Sequence, residues 1–508
     1  MADWSSGYVT DVTYIPGYYQ ELSPAIIRFC LLIQQLTPPP AEEFNYCELG
    51  FGQGLSLNLH AAASPGAFAG TDFNSEQAAF AARLAGAAGS DLAVCDDSFE
   101  DFSRRDLPQF DYIALHGIWS WINDANRRQI VEFANKRLKR GGAFYVSYNC
   151  YPGLAAIEPM RKLFMLHGRR LGEGVSSLER IQGALEFTER IFQAGPHYFH
   201  SSGNVGARFE ALKNASPRYL AHEYFNANWD IMYFSDVAEM LAGARLNFAA
   251  SAVPHESVKG LGMSDEAREY LNKVADPFLY QQLYDYFVNR AFRKDIYVRG
   301  ALPLGEAAYR ERMLAQRFIL TREPAGIDMT LKVGMGTASF LEEIYRPAVA
   351  ALAEDGHSPK GLEELRERLG GKLDYSQLLS VCINLMGVGV ILPCQTPEAA
   401  ERCRATARAL NAAICRLAGT RDDLRCLASP VTGVGVAVSR MDQLVLDAAS
   451  SGNEVAPYLL RTLQAGNIAI MKNGRNAENE AEAKHFLEEF LADFHQKRET
   501  ILKSLGIA

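Results

Sequence analysis

The stretch CELGFGQG at residues 47–54 decides the fold, because it joins an apolar, strand-like run to the helix-like segment GLSLNLHAAA at 54–63. Gly50, Gly52 and Gly54 permit positive φ angles and a close approach of the backbone to a ligand. The helix that begins here offers unpaired N–H groups at its N-terminus. Tight strand-to-helix turns are common, so the turn alone does not identify a ligand site, and the neighbouring segments are needed for that prediction.

Strand-like and helix-like segments alternate from 44 to 150. GAFAGTDF (66–73), DLAVCDDS (91–98), QFDYIALHG (109–117) and GGAFYVSYN (141–149) read as strands. SEQAAFAARLAGAAG (75–89) and DANRRQIVEFANKRLKR (124–140) read as helices between them. This alternation predicts βαβ units and a Rossmann-like α/β fold, a parallel sheet with both faces covered.

Acidic residues follow three successive strands of this sheet. Glu48 precedes the glycine turn, Asp72 lies about twenty residues downstream, and Asp96 and Asp97 end the third strand. At these strand ends Asp72 can accept hydrogen bonds from both ribose hydroxyls of a nucleoside, and the aspartate pair can meet an adenine amino group. The sequence therefore predicts a nucleoside-containing ligand at this edge.

Two ligands compete for the predicted site. A dinucleotide site normally has Gly-x-Gly-x-x-Gly, whereas this turn has Gly-x-Gly-x-Gly beside Glu48. A carboxylate there repels a pyrophosphate but attracts the sulfonium and ammonium groups of S-adenosylmethionine. The pattern favours S-adenosylmethionine over NAD.

Composition limits the possible classes of protein. A chain of 508 residues exceeds one hydrophobic core, and its net charge of −9 argues against a general nucleic-acid partner. The first residues lack the features of a signal peptide, and no run is long and apolar enough to span a bilayer, so we expect a cytoplasmic protein. Nine scattered cysteines without a C-x-x-C pair indicate neither a metal site nor a disulfide framework.

Changes of pattern divide the chain into five segments. We expect an N-terminal lid segment at 1–40, the S-adenosylmethionine-binding Rossmann-like domain at 41–160, a mainly helical middle domain at 161–305, a winged-helix-like module at 306–396 and a C-terminal helical region at 397–508. Within the fourth segment, RFILTREPAGIDMTLKV (317–333) suggests a β-hairpin.

Four strings together resemble one bacterial family: YVTDVTYIPGYYQELSP (8–24), CELGFGQGLS with GTDFN (47–56 and 70–74), FDYIALHGIWSWIN with NRRQIVEF (110–123 and 126–133), and GGAFYVSYNCYPG (141–153). They are similar to class I S-adenosylmethionine-dependent methyltransferases that carry a methyltransferase regulatory domain, including rickettsial protein lysine methyltransferases that modify outer-membrane protein B. YLAHEYFNANWDIMYFSDVAEML (219–241) and FRKDIYVRG (292–300) resemble the regulatory domain. Leu154 departs from the pattern, since many members have tryptophan after this Pro-Gly pair.

The resemblance implies methyl transfer from S-adenosylmethionine to a protein side chain, lysine first, by in-line displacement. The large additional domains fit a lysine-containing protein as substrate. Two alternatives stay open: a small-molecule N- or O-methyltransferase whose extra domains form a lid, and a non-catalytic regulator that binds S-adenosylmethionine. A homodimer through the C-terminal half is also left open.

The candidate cofactor residues come from the strand ends and, by resemblance, from a tyrosine lid. An alternative role for Tyr18 and Tyr19 is to attach the N-terminal segment to the sheet. The candidates are Tyr18, Tyr19, Glu48, Gly50, Gly52, Gln53, Gly54, Asp72, Phe73, Asp96, Asp97, Ser98 and His116.

The candidate acceptor residues follow the fourth and fifth strands, with one acid from the middle domain. The indoles of Trp119 and Trp121 can hold a cation by cation–π contact, worth ~0.5–2 kcal/mol. Packing between helix and sheet is the alternative role, and we expect one of the two indoles in the pocket. His116 is expected to cap a turn rather than act as a general base. Glu223 can attract a substrate lysine or, alternatively, form a salt bridge with Arg218. The candidates are His116, Trp119, Trp121, Tyr148, Asn149 and Glu223.

Overall fold

A seven-stranded sheet forms the centre of the structure, a computed structural model that describes residues 7–9, 11–12, 15–171, 175–201, 203–258, 260–333, 336–472 and 475–508. The sheet has the spatial order β3-β2-β1-β4-β5-β7-β6, with β1 to β5 parallel and β7 antiparallel to both neighbours. Its strands are β1 (Phe44–Leu49), β2 (Gly66–Thr71), β3 (Leu92–Cys95), β4 (Phe110–Leu115), β5 (Leu138–Asn149), β6 (Asn247–Ser251) and β7 (Phe292–Val298). The predicted Rossmann-like α/β fold is confirmed.

The strand order reverses at β1, which pairs with β2 on one side and β4 on the other. In an open α/β sheet, ligands bind in the crevice outside the carboxyl ends of the strands at such a point. The helices of this part are α1 (Pro24–Ile33), α2 (Leu55–Ala63), α3 (Ser75–Ala88), α4 (Phe99–Arg104) and α5 (Asp124–Arg137).

Five helices between β5 and β6 form a second layer, called the roof: α6 (Glu158–Arg170), α7 (Ser177–Gln193), α8 (His197–Ser201), α9 (Val205–Lys213) and α10 (Pro217–Tyr224). They share an apolar core that includes Met160, Phe164 and Phe209, and Val12 of the N-terminal segment packs into it. Val9 and Val12 of the predicted lid at 1–40 therefore contact the roof, whereas Phe29 of α1 packs against Phe318. Residues 1–6, Thr10, Thr13 and Tyr14 lie outside the described residues.

The predicted boundary at residue 160 does not hold, because the sheet is completed by strands from the predicted middle domain. β6 and β7 follow the roof, together with α11 (Phe234–Ala242), α12 (Asp265–Asn272) and α13 (Pro277–Val288). β7 lies between β5 and β6, with Tyr145 opposite Ile296. The roof is an insertion into the Rossmann-like domain. Because it separates β5 from β6 and β7 along the chain, the sequence pattern does not reveal that these strands belong to one sheet.

The segment 306–396 contains α14 (Glu306–Leu314) and a small antiparallel sheet of order β11-β8-β12. The predicted hairpin within 317–333 is wrong, since β8 pairs with β11 and β12 while β9 pairs with β10. The winged-helix assignment stays a prediction. The remaining elements are β8 (Arg317–Leu320), β9 (Thr330–Val333), β10 (Gly336–Ser339), α15 (Glu342–His357), β11 (Lys360–Gly361), α16 (Leu362–Arg368), α17 (Tyr375–Gly387) and β12 (Ile391–Pro393).

The C-terminal region covers one face of the central sheet. α18 packs against α2 and α3, and the hairpin β13–β14 packs against α2, where the Gly433 carbonyl accepts hydrogen bonds from the hydroxyls of Ser23 and Ser64. Among the described residues, no helix is long and apolar enough to cross a membrane. The elements are α18 (Pro397–Leu417), β13 (Cys426–Ser429), β14 (Val434–Ala437), α19 (Arg440–Ser450), α20 (Val455–Ala465), β15 (Met471–Lys472), β16 (Arg475–Asn476), α21 (Glu480–Asp493) and α22 (Glu499–Ser504).

Candidate functional site

A cavity of about 490 Å³ lies at the carboxyl ends of the central strands, beneath the N-terminal segment and the roof. It brings together most of the predicted residues from both sets. These are Tyr19, Glu48, Gly50, Gly52, Gln53, Gly54, Asp72, Phe73, Asp97, Ser98, His116, Trp121, Asn149 and Glu223.

Two predicted cofactor residues lie outside the cavity wall. The Tyr18 hydroxyl accepts a hydrogen bond from the Gly435 N–H at 2.6 Å, so this tyrosine attaches the N-terminal segment to the C-terminal hairpin. Asp96 lies toward the surface, where its carboxylate accepts a hydrogen bond from the Ser75 hydroxyl at 3.1 Å. The aspartate of this pair that reaches the cavity is Asp97, which is also paired with Arg105.

Two predicted acceptor residues are also outside the cavity. Trp119 is fully buried in the apolar layer between the sheet and α5, beside Ile130 and Phe133. Tyr148 is fully buried, and its hydroxyl donates to the Asp295 carboxylate at 2.8 Å. Because neighbouring side chains of a strand point to opposite faces, Tyr148 and Asn149 cannot share one wall.

The glycine loop is tied to β2 through its own N–H groups. The Gly50 N–H donates to the Thr71 carbonyl at 2.7 Å, and the Gly52 N–H donates to the Asp72 carboxylate at 2.8 Å. Gly54 has a φ of +68°, and a β-carbon there would lie 2.5 Å from the Ala81 β-carbon. Neither of the two bonded N–H groups is available for a phosphate, which agrees with the preference for S-adenosylmethionine over NAD.

Glu48 and Asp72 form a buried acidic wall beside this loop. Burial raises the pKa of Glu48 to about 8 and the pKa of Asp72 to about 6. Tyr46 donates a hydrogen bond to Glu48 at 3.3 Å, and the Asn74 N–H donates to Asp72 at 3.0 Å. In the described part of the chain neither carboxylate has an ion-pair partner. A ligand that carries positive charge would stabilise the ionised carboxylates.

We expect the affinity for S-adenosylmethionine to rise with pH as Glu48 ionises. A cationic ligand favours the carboxylate, so binding releases a proton below about pH 8, and affinity gains up to about tenfold per pH unit. Without ligand the sign is opposite: the raised pKa makes the free energy of unfolding fall as pH rises from about 4.5 through about 8. Calorimetry in buffers of different ionisation enthalpy measures the proton release. An unchanged release in Glu48→Gln would contradict this role of the carboxylate.

His116 forms a neutral wall of the cavity. Its Nδ1 lies 2.8 Å from the Tyr145 hydroxyl, and its ring stacks on Tyr19 with 3.8 Å between the centroids. Burial lowers the pKa of His116 to about 4, so the imidazole carries no charge at neutral pH and does not repel a sulfonium. The next N–H, from Gly117, donates to the Ser147 hydroxyl at 2.8 Å and holds the turn after β4.

The neighbouring tryptophans allow a direct comparison of a cavity role and a core role. Trp121→Phe is expected to lower methyl transfer about tenfold with little change in stability, since its indole lines the cavity. Trp119→Phe is expected to lower the free energy of unfolding by about 1–3 kcal/mol and leave cofactor affinity unchanged, since its indole fills the core. A methyl-transfer assay, denaturant unfolding and calorimetric titration of the cofactor, each on both variants, test this. The assignment is wrong if the two variants exchange these effects.

Five further wall residues were not among the predicted site residues. They are Tyr8 of the lid, Leu154 before α6, Asn226 and Trp229 after α10, and Phe292 at the start of β7. The Tyr8 hydroxyl lies 3.1 Å from His222 Nδ1, and the Val9 N–H donates to the Asn226 side chain at 2.9 Å, so these contacts fasten the lid to α10 and to the residues that follow it. The density of polar and aromatic residues in HEYFNANW (222–229) was the available signal. No cluster of three metal-binding side chains occurs among the described residues.

Comparisons with known proteins agree with this architecture. Residues 216–299 match the family described as predicted methyltransferase regulatory domain. This segment includes β6 and β7, so the matched region contributes two strands to the central sheet.

Relatives and solved structures extend the similarity over the whole chain. Protein sll1526 of Synechocystis sp. is 37% identical over 509 residues, which cover 99% of this chain and 100% of that protein. RP789 of Rickettsia prowazekii is 26% identical over 304 residues, 58% of this chain and 53% of its own length. The structure of PKMT2 from Rickettsia typhi in complex with AdoHcy aligns with a TM-score of 0.68 at 18% identity, covering 94% of this chain and 97% of PKMT2. The chain therefore belongs to the same family as sll1526, contains the segment described as predicted methyltransferase regulatory domain, and shares the fold of PKMT2.

Proposed function

We propose that this protein binds S-adenosylmethionine in the cavity and transfers the methyl group to a lysine side chain of another protein. The observation that carries the proposal is a pair of buried carboxylates, Glu48 and Asp72, beside the glycine loop at the point where the strand order reverses. Neither has an ion-pair partner among the residues that the structure describes. Bound there, S-adenosylmethionine supplies a methyl group activated by its sulfonium. AdoHcy bound to PKMT2 from Rickettsia typhi supports the same ligand here.

The residues at the loop fit this cofactor. A β-carbon on Gly52 would meet nothing closer than the Gln77 side-chain oxygen at 3.7 Å, so the space above the loop is free for a ligand. Glu48 and Asp72 attract positive charge, and Asp72 lies at the end of β2, where an acid accepts from ribose hydroxyls. The aromatic rings of Tyr19 and Phe73 line the same cavity and exclude water from it.

Asn149, Trp121 and Phe292 favour an amine as the acceptor. The Asn149 amide lines the cavity, and its side chain has no hydrogen-bond partner in the part of the chain that the structure describes. Its oxygen can therefore accept from an attacking amine and orient it. Indole faces attract an alkylammonium group, while burial in the cavity lowers a lysine pKa and favours the neutral, nucleophilic form. These residues thus bind and orient the amine, and burial favours its neutral form once the proton has passed to solvent.

The additional layers support a protein acceptor over a metabolite. The resemblance to rickettsial protein lysine methyltransferases points to the same class. Leu154 lines the cavity where many members have tryptophan, so we expect the surroundings of the accepted lysine to differ from theirs.

The test is transfer from methyl-labelled S-adenosylmethionine into a lysate of the encoding organism, separated afterwards into protein and small-molecule fractions. We expect the label in the protein fraction. Label only in the small-molecule fraction would establish a metabolite methyltransferase. Tight binding of S-adenosylmethionine without transfer to either fraction would establish a non-catalytic regulator.

A further inference from the structure

The helix α13 carries an apolar face that points to solvent. Leu279, Leu283, Tyr286 and Phe287 recur at helical spacing on one side of the helix and are called the apolar stripe. The exposed fractions are 47% for Leu279, 54% for Tyr286 and 44% for Phe287, while Tyr284 and Asp285 on the opposite side are buried. The helix is thus packed on its inner face and presents a second apolar face outward, a feature typical of interaction sites.

The apolar stripe continues to the acceptor end of the cavity. The side chain of Tyr286 lies near that of Tyr233 and raises the pKa of the Tyr233 hydroxyl, and the Tyr233 ring lies 4.8 Å from the Tyr151 ring. Tyr151 is the second residue after Asn149, and the chain that leaves α13 enters the cavity wall at Phe292. A polypeptide bound along the stripe can therefore place a side chain in the cavity.

Carboxylates without ion-pair partners accompany the stripe on both neighbouring helices. Asp236 and Glu239 lie on α11 and Glu266 lies on α12, and none of the three has an ion-pair partner in the described ranges. The basic residues of α12 and the residue that follows it are neutralised, since Arg268 pairs with Asp265 at 2.9 Å and Lys273 pairs with Glu269 at 2.7 Å. The charges on α11 and α12 beside the stripe are therefore mainly acidic.

This charge selects among the possible occupants. A second copy of the chain related by a two-fold axis would place the stripe and its carboxylates against themselves, and like charges would oppose each other. A basic partner gains both apolar burial and charge complementarity. We propose that the apolar stripe is the docking surface for a basic, apolar-containing segment of the protein substrate, adjacent to the lysine that enters the cavity. This inference rests on the proposed function and adds the feature of the substrate that is recognised.

The experiment uses the full chain with methyl-labelled S-adenosylmethionine and the protein fraction of a lysate. Leu279→Arg/Phe287→Arg removes apolar contact and adds repulsive charge, and Leu279→Ser/Phe287→Ser removes the contact alone. Leu178→Arg is the matched control, since Leu178 is 46% exposed near the start of α7. Affinity for AdoHcy, measured by calorimetry, verifies that each variant is folded and has an intact cofactor site.

We expect the arginine variant to lower protein labelling on the order of tenfold or more and the serine variant to lower it less, both with unchanged AdoHcy affinity. Raised ionic strength should weaken wild-type labelling in the same direction. If the arginine variant labels protein as strongly as the wild type and Leu178→Arg do, the docking surface is overturned while the proposed function stays intact. A wild-type dimer that becomes monomeric in the arginine variant would instead assign the stripe to a second copy. Absence of protein labelling by the wild type would overturn the proposed function and the docking surface with it.

Discussion

Gly52→Arg is expected to abolish measurable binding of S-adenosylmethionine while the protein stays folded. Gly52 has a φ of +59°, and its missing side chain would point into open space above the loop, with the Gln77 oxygen 3.7 Å away. An arginine side chain fills the volume that the ligand needs and places a cation where a cationic ligand should bind. The loss of affinity should exceed about a hundredfold, a difference of about 2.7 kcal/mol in binding free energy.

The matched control for this change is Gly89→Arg. Gly89 follows α3 with a φ of +63°, and a β-carbon there would meet nothing within 4 Å. Both substitutions therefore carry a similar backbone penalty, on the order of 1 kcal/mol. Calorimetric titration with AdoHcy should show affinity lost in Gly52→Arg and retained in Gly89→Arg. Equal affinities would mean that the cofactor lies elsewhere.

Asn149→Ala is expected to lower methyl transfer about a hundredfold with cofactor affinity preserved. The backbone of Asn149 is held by the Ser120 hydroxyl at 2.8 Å and the Met232 N–H at 3.1 Å, so the side chain is presented to the cavity from a fixed position. Removal of one oriented polar group that contacts reacting atoms typically costs about a hundredfold or more in turnover. The loss should appear in kcat, because the amide orients the amine during transfer.

Tyr148→Phe is the neighbouring control for this prediction. The substitution removes the hydrogen bond to Asp295 behind the sheet and leaves the cavity wall unchanged. It should lower the free energy of unfolding by about 1–3 kcal/mol, since a hydrogen bond to a buried carboxylate is lost while Arg293 keeps its pairing with Asp295. Methyl transfer should continue at the wild-type rate. A loss of turnover in Tyr148→Phe equal to that in Asn149→Ala would place the acceptor on the other face of β5.

Most residues predicted at the cofactor end line one cavity, because that end consists of local signals. Glu48, Gly52 and Asp72 each stand at the end of a strand or in the turn after it, and parallel strands bring their carboxyl ends to one edge. The Gly-x-Gly-x-Gly spacing beside Glu48 likewise favours S-adenosylmethionine from sequence alone. For such residues, position along the chain and position in space are closely linked.

The direction in which a side chain points was harder to predict where it depends on packing. Trp119 and Trp121 are two residues apart, and only the three-residue 3-10 turn that contains them sends one indole to the core and the other to the cavity. Tyr18 and Tyr19 diverge in the same way, one bonded to the C-terminal hairpin and the other stacked on His116. Local propensity does not determine such directions.

Long-range pairing was also beyond the sequence pattern. β7 inserts between β5 and β6 although the roof separates β5 from both strands along the chain. The wall residues Tyr8, Trp229 and Phe292 come from three further segments that meet only after this pairing is made. The fold class could therefore be read from periodicity, whereas the domain boundary and the acceptor wall required the topology.

The most direct test of methyl transfer to protein lysine is residue identification by mass spectrometry after incubation of lysate proteins with S-adenosylmethionine that carries a deuterated methyl group. Wild-type protein should place deuterated methyl groups on lysine side chains, and Gly52→Arg and Asn149→Ala should leave those lysines unlabelled or nearly so. Deuterated methyl groups found only on other residue types or only on small molecules, and absent from lysine, would contradict it.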